Sequence, residues 1–288
     1  MTCKSLWAGM ILALPPLFWA GNFVVGRAAS AEVPPMLLAL SRQVVALACL
    51  LPFGWTVMRR DLPRYWQHWL LLVRVSLAGM VVFNALVYVG LHATTASNAQ
   101  LLNSTIPVLI VLFGAIFLRQ RLAPGQIFGL ALSCLGVLTI ILRGDPLRII
   151  TLEFSIGDLI VLAAMVSFSL FSLWLRDFPA DLNRLGLLGA QFVIAVAVLT
   201  PLACIEYLTG ARPSGSVGSI GAMLYVGIAA GFLANLLYMV GIARVGPARA
   251  GLFIHLVPLY GAVMSNALLG EDLHVHHLIG MAAIIGGL

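Results

Sequence analysis

Charged residues in this chain fall in short clusters, and the stretches between them are apolar for about twenty residues at a time. Ten such stretches are marked off, at residues 6–26, 35–57, 66–91, 96–118, 122–142, 154–175, 184–207, 217–243, 248–269 and 273–288. A helix needs roughly 20 apolar residues to cross a hydrocarbon core about 30 Å thick, so each stretch predicts one membrane-spanning helix. Barrel strands are not predicted, because they would alternate apolar and polar residues over about ten positions. The first stretch also imitates a secretory signal, with Lys4 before the apolar run and Ala29-Ser30-Ala31 after it. It is read as helix one, since the run exceeds the ~7–15 residues of a signal core and has a counterpart at 157–175.

The pattern repeats. A shift of 149 lays Val44, Ala46, Ala48, Leu50 and Pro52 on Val193, Ala195, Ala197, Leu199 and Pro201. A shift of 151 brings Asn84, Gly90, Pro107, Gly129 and Gly136 onto Asn235, Gly241, Pro258, Gly280 and Gly287. The paired Asn, Pro and Gly positions carry the match, because Val and Ala recur by chance in so apolar a chain. Residues 1–148 and 149–288 are therefore expected to be two five-helix repeats. Five is odd, so the second must be inverted in the membrane relative to the first, an arrangement suited to alternating access.

Composition agrees: 61% apolar and 9% charged residues cannot be hidden within one soluble globule. The expected fold class is an all-α integral membrane protein of ten transmembrane helices. With the N-terminus inside, ten basic residues (Lys4, Arg59, Arg60, Arg64, Arg119, Arg121, Arg176, Arg184, Arg244, Arg249) lie on the inner side and four (Arg27, Arg143, Arg148, Arg212) on the outer. Basic residues collect in cytoplasmic loops, so both termini are expected in the cytoplasm. The net charge of +6 is thus a topology signal and does not imply nucleic-acid binding.

Candidate chemistry is sparse. Cys3, Cys49, Cys134 and Cys204 are scattered, without disulfide or metal spacing. His274, His276 and His277 cluster near one end of helix ten and read as solvated surface rather than a metal site. No phosphate loop, HExxH, GxSxG or intramembrane carboxylate pair is present, so neither an enzyme nor a cofactor is expected.

Trp19-Ala-Gly-Asn22-Phe23, the Pro107 helix followed by Arg119-Gln-Arg-Leu122 and Gly129…Gly136, and the copy Pro258…Gly270-Glu271…Gly280…Gly287 resemble the drug/metabolite transporter superfamily, EamA type. Within it the chain looks most like the aromatic amino-acid exporter branch of bacterial inner membranes. The resemblance covers nearly the whole chain. It implies a cavity lined by helices 1, 3, 4, 6, 8 and 9, with efflux as the direction. Two departures stand out: Arg119-Gln120 replaces the Gly-Glu pair of the second half, and the chain ends at Leu288, about one turn short of what 122–142 predicts for helix ten, which reads as a trimmed C-terminus.

Polar residues inside these helices are costly against lipid and point to the cavity lining. Trp19, Asn22 and Phe23 come from helix one, Asn84 and Tyr88 from helix three, and Gln100, Asn103 and Ser104 from one face of helix four. Ser169, flanked by Ser167 and Ser172, comes from helix six, Tyr238 from helix eight, and His255 and Tyr260 from helix nine. Either these side chains touch substrate around one aqueous, partly aromatic chamber, or they bond to neighbouring helices and hold the bundle. Asn84 and Asn235 fit the second reading because both repeats carry them, and His255 fits the first. Pro15, Pro16, Pro107 and Pro258 each free a backbone carbonyl and are candidate hinges. Arg42 and Arg74 are expected to snorkel to the interface, and Asp158 to cap helix six.

The single lysine is Lys4, far from the centre, which argues against polyphosphates. A neutral or zwitterionic, moderately apolar solute fits, with amino acids first and other metabolites or lipophilic drugs behind. A passive channel is the alternative from another class. The expected partners are this solute and the lipid bilayer, with the chain acting as a monomer.

Overall fold

The structure, a computed structural model, describes residues 3–119, 123–142, 144–145, 147, 155–269 and 275–287. Among them no strand occurs, and ten helices follow one another: α1 (Cys3–Ala29), α2 (Pro35–Gln67), α3 (Trp69–Ala93), α4 (96–118), α5 (Pro124–Ile141), α6 (Ile156–Leu175), α7 (Arg184–Leu208), α8 (Val217–Val245), α9 (247–269) and α10 (Val275–Gly287). Seven are long and apolar enough to cross a membrane by length and composition, and α5 and α10 are shorter apolar helices. The chain is an all-helical integral membrane protein. Helix starts are locally specified: Thr95, Ser155, Asn183 and Ser216 each accept backbone N–H bonds in the first turn. Asp158 closes a capping box with Ser155 and also accepts from the Thr94 hydroxyl, so the capping expectation holds.

The α2 helix departs from expectation. It runs ten residues past position 57, through Pro63, as a polar extension bearing Arg59, Arg60, Asp61 and Arg64. Those charges end the apolar pattern without ending the helix. The antiparallel α2–α7 pair is clasped at both ends. The Glu206 carboxylate accepts the Met36 and Leu37 backbone N–H groups at 3.2 and 3.0 Å, and Asp61 accepts from the Asn183 backbone.

Sequence repetition becomes structural repetition at three levels. Helices α3 and α8 each change to π-helical hydrogen bonding at their centres, at Leu77–Val82 and Val226–Leu233. Asn84 Nδ2 donates to the Gly79 and Met80 carbonyls, and Asn235 Nδ2 to those of Ala230 and Gly231, each side chain satisfying acceptors that the wide turn leaves free. Helices α4 and α9 break at matching places, the first between Ala96–Asn103 and Ile106–Leu118, the second at the 3₁₀ turn Phe253–His255. Helices α5 and α10 pack backbone to backbone, with Gly129 against Gly287 and Gly136 against Gly280.

At the end of the bundle holding the α1–α2 and α7–α8 connections, Glu32 accepts from the Ser216 hydroxyl and from that of Ser214 at 3.0 Å. These bonds hold the Glu32 carboxyl below its ordinary value. A depressed carboxylate contributes stability above its unfolded value of 4.5 and loses it as pH falls through the lower folded one. The midpoint difference between wild type and Glu32→Gln is therefore expected to shrink from pH 7 to pH 4, which thermal unfolding in detergent measures.

Candidate functional site

The central feature is a residue whose role the sequence concealed. Arg42 lies seven positions into α2, and snorkelling was expected of it, yet it is 1% exposed. Its helix packs on α3 and α8, so the guanidinium turns inward and reaches Asn22 of α1. Nη1 donates to Asn22 Oδ1 at 2.8 Å and to the Tyr88 hydroxyl at 3.2 Å, and Nη2 donates to the Ala230 carbonyl at 2.8 Å, within the π-helical segment of α8. Tyr88 in turn donates to Asn22 Oδ1 at 2.8 Å. Gln43, one residue on, donates to the Met80 carbonyl of the α3 π segment at 3.0 Å. Helix α2 thus sends one donor into each π-helical segment. Arg74 behaves as expected: it is exposed, with its guanidinium 4.4 Å from the Trp174 ring centre.

Beside this network the aromatic residues close the centre. Trp19 meets Phe168 edge-on at 5.5 Å and Tyr238 at 5.1 Å, and Phe168 also packs on Phe83 and Phe171. Trp19, Asn22, Phe23, Phe83, Asn103, Ile106 and Phe168 surround a void of about 10 Å³, room for one water. An open aqueous chamber was expected from these helices; the structure has a packed aromatic centre instead, because the rings interdigitate across the repeats.

Larger cavities lie towards both ends. One of about 410 Å³ sits where α6, α7, α8 and α9 meet, lined by Arg176, Arg184, Arg249 and Gln126 and by Met239 and Ile242. Among the described residues no carboxylate lines it. The other, about 360 Å³, lies between α1 and α8 at the Glu32 end, lined by Val25, Ala28, Gly218, Ala222 and Tyr225.

The remaining expected residues are placed as follows. His255 is fully buried in the 3₁₀ break of α9, and its Nε2 is 3.1 Å from the Ser104 carbonyl in the break of α4. The two breaks, related by the repeat shift, therefore touch. A bond to that carbonyl requires Nε2 to carry the proton, which leaves Nδ1, also buried and without a partner, as the free nitrogen. Ser104 bonds back to the Gln100 carbonyl, and half-buried Gln100 lies against Gly261. Ser169 donates to the Met165 carbonyl, Ser172 pairs with the Tyr238 hydroxyl at 3.1 Å, and Ser167 donates to Ala78 in the α3 π segment. Asn84 is spent within its own helix, and Tyr260 is half-buried against the core. Pro107 and Pro258 are buried just past the two breaks, whereas α1 runs as one helix through buried Pro15 and Pro16. Among the described residues no trio of metal-ligating side chains occurs; His274 and Glu271 lie outside them.

Two internally repeated units, broken helices meeting at the centre and cavities at either end define a class: membrane transporters built by duplication. Residues 6–142 and 155–288 each match the EamA-like transporter family, and the chain belongs to that family, part of the drug/metabolite transporter superfamily. It is 24% identical to the uncharacterized transporter YetK of Bacillus subtilis (strain 168) over 99% of this chain and 86% of that protein. It is 26% identical to a probable terminal-alkyne amino-acid exporter of Streptantibioticus cattleyicolor over 99% of this chain and 92% of that one. A solved crystal structure superposes with a TM-score of 0.76 over 97% of this chain and 94% of its own, and at 20% identity that likeness shows the fold.

Proposed function

We propose that this transporter is a secondary carrier that exports amino acids, aromatic or otherwise apolar and neutral, or related small metabolites across a bacterial inner membrane by alternating access. The observation that carries this reading is the contact between the broken centres of α4 and α9, through His255 and Ser104, beside an aromatic plug that separates two end cavities. A packed centre with a cavity towards each end suits a carrier caught between openings and does not suit a continuously open channel. The units 1–148 and 149–288 are the bodies that rock, Pro107 and Pro258 are the hinges, and both termini are cytoplasmic, which makes the arginine-lined cavity the inner approach. Trp19, Phe23, Tyr88, Asn103 and Tyr238 supply the walls and polar contacts. The chain acts as a monomer with lipid around it. The Streptantibioticus relative, a probable terminal-alkyne amino-acid exporter, supports amino acids as the substrate class. A cavity lined among the described residues by three arginines, of which Arg176 is paired with Asp177, and by no carboxylate counts against the multidrug reading for cationic compounds.

Counterflow of labelled tryptophan, phenylalanine, threonine and a cationic dye in proteoliposomes tests the proposal. Saturable amino-acid exchange is the expected result, and movement of the dye alone would replace amino-acid export with drug efflux. In the same assay His255→Ala is expected to slow exchange about tenfold, or ~1.4 kcal/mol of barrier, because it severs the α4–α9 contact. Gln100→Ala, which removes a half-buried packing contact, is expected to change it less than about threefold.

A further inference from the structure

We infer that the buried guanidinium of Arg42 is the binding group for a carboxylate on the transported solute, with Trp19 and Asn103 as neighbouring donors. The inference rests on the carrier reading above and adds the chemistry by which that site selects its substrate.

Arg42 carries a full charge at 1% exposure, and every acceptor it meets is neutral: an asparagine oxygen, a tyrosine hydroxyl and a backbone carbonyl. Its Nε has no hydrogen-bond partner. The ion pairs among the described residues, Arg60–Asp61, Arg64–Asp181 and Arg176–Asp177, do not include it. Holding a cation in the bilayer interior without a counter-ion is costly, and such residues mark transport paths. Scaffolding does not explain the cost. Gln43 makes the equivalent bond to the other π-helical segment with a neutral amide. A neutral side chain would hold the helices, so the charge serves something the chain itself does not supply.

The surroundings state what that is. Asn22, the partner of the guanidinium, also lines the central void. Two other residues lining it are nine-tenths or more buried with an unpartnered donor: Trp19 at Nε1 and Asn103 at Nδ2. A cation bonded to Asn22 and two void-lining residues with unspent N–H donors form a receptor for an anionic acceptor. A carboxylate matches it, because its two oxygens meet the guanidinium fork side by side once Asn22 and Tyr88 swing off. With room for a single water, the void admits that group only as the helices part, which couples binding to opening. One cation, and no lysine nearby, suits a single carboxylate rather than a polyphosphate.

The test is the shift in unfolding midpoint of the purified protein in detergent with four probes of like ring system: tryptophan, indole-3-propionate, tryptamine and tryptophanamide. The two carboxylates are expected to raise the midpoint saturably, and the amine and amide to leave it unmoved. Arg42→Gln is expected to fold with a ligand-free midpoint at or above that of wild type and to lose the carboxylate response, while Arg42→Lys keeps a weakened one. Equal responses to acid and amide, no response to any probe, or a full response in Arg42→Gln would overturn the inference. Tryptophan counterflow separates the two claims. Counterflow that tryptamine drives equally well leaves the carrier reading standing and removes this one. An Arg42-dependent carboxylate response without any counterflow removes the carrier reading alone.

Discussion

Gly136→Val is expected to lower the unfolding midpoint of the purified protein by about 5–10 °C, the size of shift that ~3 kcal/mol of overpacking gives in a chain of this length. Helices α5 and α10 touch through backbone. A Cβ built on Gly136 comes within 2.6 Å of the Gly280 carbonyl oxygen and 2.9 Å of the Ile284 backbone nitrogen, and one on Gly280 comes within 2.6 Å of the Gly136 carbonyl. No rotamer change relieves a clash with backbone, so the pair must separate, and with it the apolar cluster of Val137, Ile140, Leu256, Leu259 and Ile284 that ties α5 and α10 to α9. Gly221→Ala is the control. Nothing lies within 4 Å of its Cβ, and alanine is the better helix former, so the midpoint is expected to hold or rise slightly. Equal behaviour of the two variants would show that the α5–α10 contact is not the tight one described.

The second large effect is expected at Trp19. Its ring fills the space between Phe168 and Tyr238 and is 6% exposed, so Trp19→Ala removes the keystone of the central plug. Cavity formation of this kind costs about 3–5 kcal/mol in well-packed interiors. The functional consequence is the more diagnostic one. With the void enlarged, the end cavities are no longer separated by packed rings, and net efflux of preloaded solute without counter-substrate is expected to rise while exchange falls. Trp19→Phe, which keeps an aromatic edge in place, is expected to lie between. The ratio of exchange to net efflux in proteoliposomes checks both, and an unchanged ratio in Trp19→Ala would show that the barrier lies elsewhere.

The fold was legible in the sequence to the extent that it depends on one-dimensional properties. Apolar run length located the ten helices, and the paired Asn, Pro and Gly residues disclosed the duplication because each marks a backbone feature present twice: π-helical turns held by Asn84 and Asn235, breaks beside Pro107 and Pro258, and close contacts at Gly129 and Gly136 and at their counterparts Gly280 and Gly287. The end of α2 was misjudged because the apolar pattern stops at the membrane surface while the helix does not. The site was legible in its members and not in its arrangement. Trp19, Asn22, Phe23 and Asn103 do meet around one void, yet whether it is a chamber or a packed centre depends on how the rings of the two repeats interdigitate in three dimensions, which no single residue encodes. Arg42 was misread for a different reason. Its nearness to the helix end favoured snorkelling, and only the packing of α2 on α3 and α8 turns it inward. The available signal was the set of polar residues, Asn22 and Tyr88, in the neighbouring helices at the same depth.

The central claim is that opposite ends of the bundle open in turn around a closed centre. It is tested most directly by distance measurements between spin labels on a cysteine-replaced background, with one pair at exposed Ala31 and Ala211 and another at exposed Gly125 and Ala180, beside the arginine-lined cavity. Reciprocal change is the predicted result: on adding substrate, the distance distribution of one pair lengthens as that of the other shortens. Distances that stay fixed at both ends while solute crosses the membrane would contradict alternating access and leave a channel as the better description.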